Sequence, residues 1–169
     1  MLIQHGVLDS ADFAVMHGDQ DSPAFVLANS GYDVWVSNSR GNKYSRDHVS
    51  KNPDKDDSFW DFSFTEMVED YKANIEYILS HTKTSKIPII GHSQGTTSAY
   101  AGMSSDPEWF HSRVSLFIAL ASVTRLDHMT SKLLSFFCST PFALNLLNNL
   151  HIHELFPSNF AFKTSSQLL

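Results

Sequence analysis

The sequence predicts a three-layer α/β sandwich, a mostly parallel sheet flanked by helices, and three observations carry that expectation. Short apolar runs at Met1–Gln4, Ile87–Ile90 and Val114–Ala121 have the length and density of buried strands. Segments with helical periodicity lie between them. Strands alternating with helices imply parallel pairing through right-handed crossovers.

Each element has its own signal. Met1–Gln4 runs straight into His5-Gly6, as a strand ending in a turn. Ser22 as cap, Pro23 at the first helical position and Gly31 beyond the end punctuate a short helix. Asp33–Ser37 reads as a strand, followed by the polar loop Asn38-Ser39-Arg40-Gly41-Asn42. Charge dominates Asp47–Ser58, which reads as a solvated loop. Ser63 and Glu66 have capping-box spacing, and Met67, Tyr71, Ile75, Ile78 and Leu79 recur on one helical face. Pro88 cannot donate to a ladder, so it belongs among the first residues of its strand. Gln94–Met103 is rich in small residues and fits a closely packed helix. Beyond Leu126 leucine and phenylalanine crowd two segments split by Pro141, with no further strand signal.

Composition narrows the function classes. A chain of 169 residues, 42% hydrophobic, is long enough to bury one core. Its net charge of −6, without clustered Lys and Arg, argues against nucleic acid. The single cysteine, Cys138, allows no internal disulfide, and its aromatic neighbours suggest a buried structural thiol. No signal-peptide pattern, glycosylation sequon or membrane-length apolar run is present.

Gly91-His92-Ser93-Gln94-Gly95 matches G-x-S-x-G, a weak pattern by its letters alone. Here it joins a strand to a helix, the setting of a nucleophile elbow, in which the serine sits strained at the tip of a sharp turn. A serine hydroxyl needs a histidine base and a carboxylate behind it, and the developing oxyanion needs preset N–H donors. Ser93 is the candidate nucleophile. The Gln94 N–H, at the helix start, is one candidate oxyanion donor. The Val7 N–H, in Gln4-His5-Gly6-Val7 after the first strand, is the other. The competing reading makes Ser93 a plain helix cap and His5-Gly6 a plain turn.

With these motifs in place, the chain resembles the acid lipase family, which includes lysosomal acid lipases and gastric lipases, built on the α/β-hydrolase fold. The matching segments are Leu2–Leu8, Gly31–Asn42, Ser45–His48, Phe59–Met67 and Gly91–Thr97, with weaker similarity at His153–Pro157. The Asn38–Asn42 loop is the most distinctive. The resemblance implies hydrolysis of neutral-lipid esters such as triacylglycerols or cholesteryl esters, with Ser93 as nucleophile and Val7 and Gln94 as oxyanion donors. It makes His92 structural rather than the catalytic base. It implies no metal or cofactor, a lysosomal or secreted location, and possible cap contact with a membrane or lipid droplet. Residues 1–126 would be the central hydrolase core and 127–169 the start of a helical cap. The family's triad acid and base lie beyond the cap, so this chain is expected to be a central fragment or the product of a truncated gene, with Met1 an internal methionine. It also lacks the proline that usually follows the aspartate near Asp70.

Other residues invite competing assignments. Asp127 could be a triad acid in related hydrolases, but its neighbour His128 would point away from it. His151-Ile152-His153 has metal-like spacing without a third ligand nearby, so surface histidines are expected. Arg40 is expected to bridge loops. Two functional alternatives remain: a catalytically silent lipid-binding module, and an esterase for small polar esters.

Overall fold

A computed structural model describes residues 1–127, 130, 131 and 153. The chain divides into two compact units, residues 1–46 with 62–124 and residues 47–61 with 125–169. Most of the expected cap, including Cys138, His128 and His151, lies outside the described residues.

The first unit holds a four-stranded parallel sheet: β1 (Leu2–Gln4), β2 (Trp35–Ser37), β3 (Ile87–His92) and β4 (Val114–Leu120), in the order β2-β1-β3-β4. Successive side chains of a strand face opposite sides, so neighbouring apolar residues feed two separate cores. Leu2 and Ile89 pack with Tyr71, Ile75, Ile78, Ala99 and Phe110 on one face. Ile3 and Ile90 pack with Ala14 and Ala24 on the other. Helices α2 (Met67–Thr82), α3 (Gln94–Ser105) and α4 (Pro107–Arg113) supply the first layer. Helix α1 (Pro23–Asn29) and a 3-10 turn at Ala11–Ala14 supply the other. The expected sandwich is therefore present.

Local differences have identifiable causes. β2 begins at Trp35 rather than Asp33, because its partner β1 is three residues long and pairing starts at Leu2 with Trp35. Pro88 sits second in β3, and the register with β4 shifts between Ile87 and Pro88, where the missing donor interrupts the ladder. The Ser63–Glu66 pair forms ahead of the helix: the Glu66 carboxylate accepts the Ser63 N–H at 2.7 Å, and α2 starts at Met67. Helix α4 has no counterpart in the sequence reading, although Asp106-Pro107 is a cap followed by a first-turn proline. The Asp106 carboxylate accepts the Trp109 N–H at 3.3 Å.

In the second unit a 3-10 turn at Asp57–Trp60 follows the charged loop. The Trp60 indole N–H donates to the Pro53 carbonyl at 2.9 Å, and Trp60 stacks on His153. His153 Nε2 lies 3.0 Å from Asp57 Oδ1.

Strand order reverses between β1 and β3: the chain leaves β1 toward β2 on one side, then returns on the other. Ligands of open α/β sheets bind at the carboxyl ends of strands flanking such a switch point. Gln4-His5-Gly6 and His92-Ser93 occupy those ends.

Ile75 has no solvent exposure and lies at the centre of the larger core. Ile75→Ala should lower unfolding free energy by roughly 2–5 kcal/mol through lost burial and a residual cavity. Urea denaturation followed by circular dichroism measures this; an unchanged midpoint would remove α2 from the core.

Candidate active site

Ser93 lies between β3 and α3 with φ 52° and ψ −117°, a conformation that L-residues rarely adopt. The surrounding bonds hold it there. Its N–H donates to the Leu120 carbonyl at 2.9 Å. Its carbonyl accepts from both the Thr96 N–H at 2.9 Å and the Thr96 hydroxyl at 2.6 Å. Thr96 Oγ1 in turn accepts the Val123 N–H, and the Thr97 hydroxyl donates to the Val123 carbonyl, both at 2.9 Å. The end of β4 is thus tied to the first turn of α3. Among the described residues, none hydrogen-bonds the Ser93 hydroxyl.

The glycines act through close approach. A Cβ on Gly91 would lie 2.9 Å from the Gly95 carbonyl, where β3 meets α3. One on Gly95 would lie 2.8 Å from the His5 carbonyl and 2.9 Å from that of Gln4, so this glycine makes room for β1 instead. One on Gly6 would lie 2.9 Å from Ser93 Cβ. The turn after β1 therefore rests directly against the elbow.

That contact brings the sequence-predicted site residues together. Gln94 is the first residue of α3, so its N–H has no partner within the helix. The Val7 N–H follows Gly6 and has no hydrogen-bond partner among the described residues. The Val7 side chain is exposed. His92 stacks on Phe13 at 5.4 Å between centroids, and its buried Nδ1 has no hydrogen-bond partner among the described residues.

A polar scaffold surrounds the turn. His5 is 4% exposed; Nδ1 lies 2.7 Å from the Gly6 carbonyl oxygen, and Nε2 accepts the Ser39 N–H at 3.0 Å. The Gln4 amide donates to the Ser39 hydroxyl and accepts from the Ser37 hydroxyl. Asn38 Oδ1 accepts from the Ala11 N–H and from the Asn42 amide. Arg40 joins this loop to α2: Nε lies 3.0 Å from both Asp70 oxygens and an Nη 2.6 Å from one, while the Arg40 N–H also reaches Asp70. Hydrogen bonding to Asp70 raises the guanidinium pKa above its ordinary value. Arg40 therefore bridges its loop to a helix, through Asp70 of α2, rather than joining two loops as expected.

Tyr71 is a functional neighbour that the sequence reading treated only as part of an apolar face. Its hydroxyl donates to the Gly95 carbonyl at 2.9 Å, and burial pushes its pKa up, keeping it a donor. No contact of Asp70 or of Asn42 is legible in the sequence; the only signal is the polar Asn38–Asn42 loop to which Asn42 belongs.

Asp127 pairs with Arg125, at 3.0 and 2.9 Å. His153 pairs with Asp57, and no group of three metal-ligating side chains occurs among the described residues.

Comparison with known proteins places this architecture in a family. The model of the alpha/beta hydrolase fold matches residues 1–152, and the chain belongs to that family. Within it, the chain is 36% identical over 171 residues to lipase member K of Homo sapiens, covering 99% of this chain and 42% of that protein. It is 39% identical to lysosomal acid lipase/cholesteryl ester hydrolase of Macaca fascicularis, covering 92% and 37%. It is 39% identical to gastric triacylglycerol lipase of Bos taurus, covering 78% and 33%. The acid lipase resemblance is thereby borne out, and the chain spans 33–42% of the length of these relatives. A solved extracellular alpha/beta-hydrolase from a Paenibacillus species superposes with a TM-score of 0.53 at 17% identity, covering 85% of this chain and 51% of that one. That likeness concerns the fold alone.

Two outcomes test the site's packing. Gly6→Ala forces a methyl against the Ser93 Cβ without a left-handed backbone to strain. It should destabilise by roughly 1–3 kcal/mol, read by urea denaturation. The second concerns pH. Burial holds the His5 imidazole below its ordinary value of 6.5, so the unfolded chain takes up the proton first as pH falls. The stability linked to His5 is complete above pH 6.5 and is lost as pH falls through the folded-state value. Urea midpoints between about pH 7.5 and about pH 5 should fall less in His5→Asn than in the unmodified protein; equal falls would exclude His5 as a source.

Proposed function

We propose that the chain carries the nucleophile and oxyanion site of a carboxylic ester hydrolase acting on neutral-lipid esters such as triacylglycerols or cholesteryl esters. The observation that carries this reading is the strained backbone of Ser93 at the β3–α3 junction, packed against the turn after β1. Such strain persists only where surrounding structure enforces it, and it presents the serine at the tip of the turn. The substrate class rests on the similarity to lipases.

In this mechanism Ser93 Oγ attacks the ester carbonyl carbon while a histidine takes its proton. The carbonyl oxygen becomes an oxyanion that accepts hydrogen bonds from the Gln94 and Val7 N–H groups. The dipole of α3 favours the same negative charge. Collapse expels the alcohol, which takes a proton from the histidinium, and leaves Ser93 acylated. Water activated by the same histidine then releases the fatty acid and restores the serine.

The base and its carboxylate lie outside this chain in our reading. Both His5 nitrogens are engaged elsewhere, and Asp127 is paired with Arg125. A sheet that continues past β4 would bring them. Among the described residues β4 lies at the sheet edge, and it is open on a face as well, with Leu116 53% exposed, whereas parallel strands are ordinarily covered on both faces. No metal or cofactor takes part. A lysosomal or secreted location fits the same relatives; contact of the cap with a membrane or lipid droplet belongs to the same proposal.

In the full-length protein, Ser93→Ala should lower kcat for a nitrophenyl ester by several orders of magnitude, on the order of 10⁴-fold or more. Retained activity would refute Ser93 as nucleophile. A series of acyl chain lengths should favour long chains; preference for acetate would indicate a small-ester hydrolase. The 169-residue chain alone should hydrolyse such esters barely above background.

A further inference from the structure

His5 has a proton assignment that its neighbours fix. Its Nε2 lies 3.0 Å from the Ser39 backbone nitrogen, which can only donate. It also lies 3.2 Å from Asn42 Nδ2. The orientation of the Asn42 amide is itself determined, because its Oδ1 accepts the Tyr44 N–H at 3.0 Å and its Nδ2 donates to Asn38 Oδ1 at 2.7 Å. Two donors facing Nε2 make it an acceptor, so the ring proton belongs on Nδ1. Nδ1 faces the Gly6 carbonyl oxygen at 2.7 Å.

The Gly6 carbonyl and the Val7 N–H belong to one trans peptide unit, in which the two groups point in opposite directions. A hydrogen bond that holds the carbonyl therefore sets the direction of the N–H. It also polarises the amide, strengthening the N–H as a donor. Nothing else holds this N–H, which has no partner among the described residues. Gly6 places the peptide against the elbow, where a Cβ would lie 2.9 Å from that of Ser93.

We infer that His5 is a positioning residue for ester hydrolysis: its Nδ1–H, locked by Ser39 and Asn42, fixes the Gly6–Val7 peptide so that the Val7 N–H is preset toward the oxyanion beside Ser93. This rests on the reading of Ser93 as nucleophile. The Asn38–Asn42 loop gains a purpose from it. The loop serves as the second support of the oxyanion site, held to α2 by the Arg40–Asp70 pair.

The experiment replaces His5 in the full-length protein by two amides of different reach. An Asn side chain places its nitrogen near the position of Nδ1 and can still hold the Gly6 carbonyl; a Gln side chain reaches instead toward the position of Nε2. His5→Gln should lower kcat by roughly 10²-fold with KM within about threefold, the signature of a lost transition-state contact. His5→Asn should recover activity to within roughly tenfold of the unmodified enzyme. Full kcat in His5→Gln, or equal losses in the two variants, would overturn the assignment. Ser93→Ala run alongside separates the two claims. If it abolishes turnover while His5→Gln stays fully active, only the role of His5 fails; if it leaves turnover intact, the nucleophile reading fails and His5 loses its role with it. Should His5→Gln not fold, ¹⁵N chemical shifts of the His5 ring in the unmodified protein still decide. An Nδ1-protonated neutral ring is expected, and an Nε2-protonated or cationic ring above neutral pH would overturn the inference.

Discussion

The contact on which the site depends is the approach of the end of β1 to the turn between β3 and α3. Two glycines set that distance. Gly6 lies where any side chain would meet Ser93, and Gly95 lies where one would meet the carbonyls of Gln4 and His5. A packed interior has no slack to absorb an added methyl, so these positions hold the two loops at one separation. The parallel pairing of β1 with β3, Gln4 opposite Gly91, puts the two strand ends level. Every proposed feature of the chemistry follows from that alignment.

Holding a strained serine there requires compensation nearby, and the structure supplies it through backbone groups and threonines. Thr96 is fully buried and satisfied on both sides, giving its hydroxyl proton to Ser93 and accepting from Val123. Tyr71 reaches from α2 to the Gly95 carbonyl, in the same first turn of α3. A buried hydroxyl lacking its partner would carry a desolvation penalty of about 1–3 kcal/mol, so these pairings make the local arrangement specific as well as stable. The Arg40–Asp70 pair plays the corresponding part on the other side of β1. Its geometry is bidentate and part-buried, which distinguishes it from an ordinary surface ion pair.

Much of this was legible because the signals are local. The elbow pentapeptide, the strand before it and the small-residue helix after it sit together in the chain, as does the Ser22-Pro23 helix start. Reading failed where a boundary depended on a partner: β2 is shortened by the length of β1, and the Ser63–Glu66 pair closes a turn ahead of α2. α4 escaped notice although Asp106-Pro107 announces it. The elbow motif likewise does not reveal that Gly95 makes room for β1 rather than for the strand before it.

The sequence by itself determined the alternation of strands and helices, the residue at the tip of the elbow, and the family to which the chain belongs. These are properties of short segments, where side-chain periodicity, glycine and proline act on their immediate neighbours. Only the tertiary structure decided which groups surround that tip. The proton on His5 is fixed by residues more than thirty positions away, the guanidinium of Arg40 finds Asp70 thirty positions on, and the Tyr71 hydroxyl finds Gly95 across two elements. A tautomer, an ion-pair partner or the direction of one N–H depends on distances between segments, and those exist only once the sheet has formed.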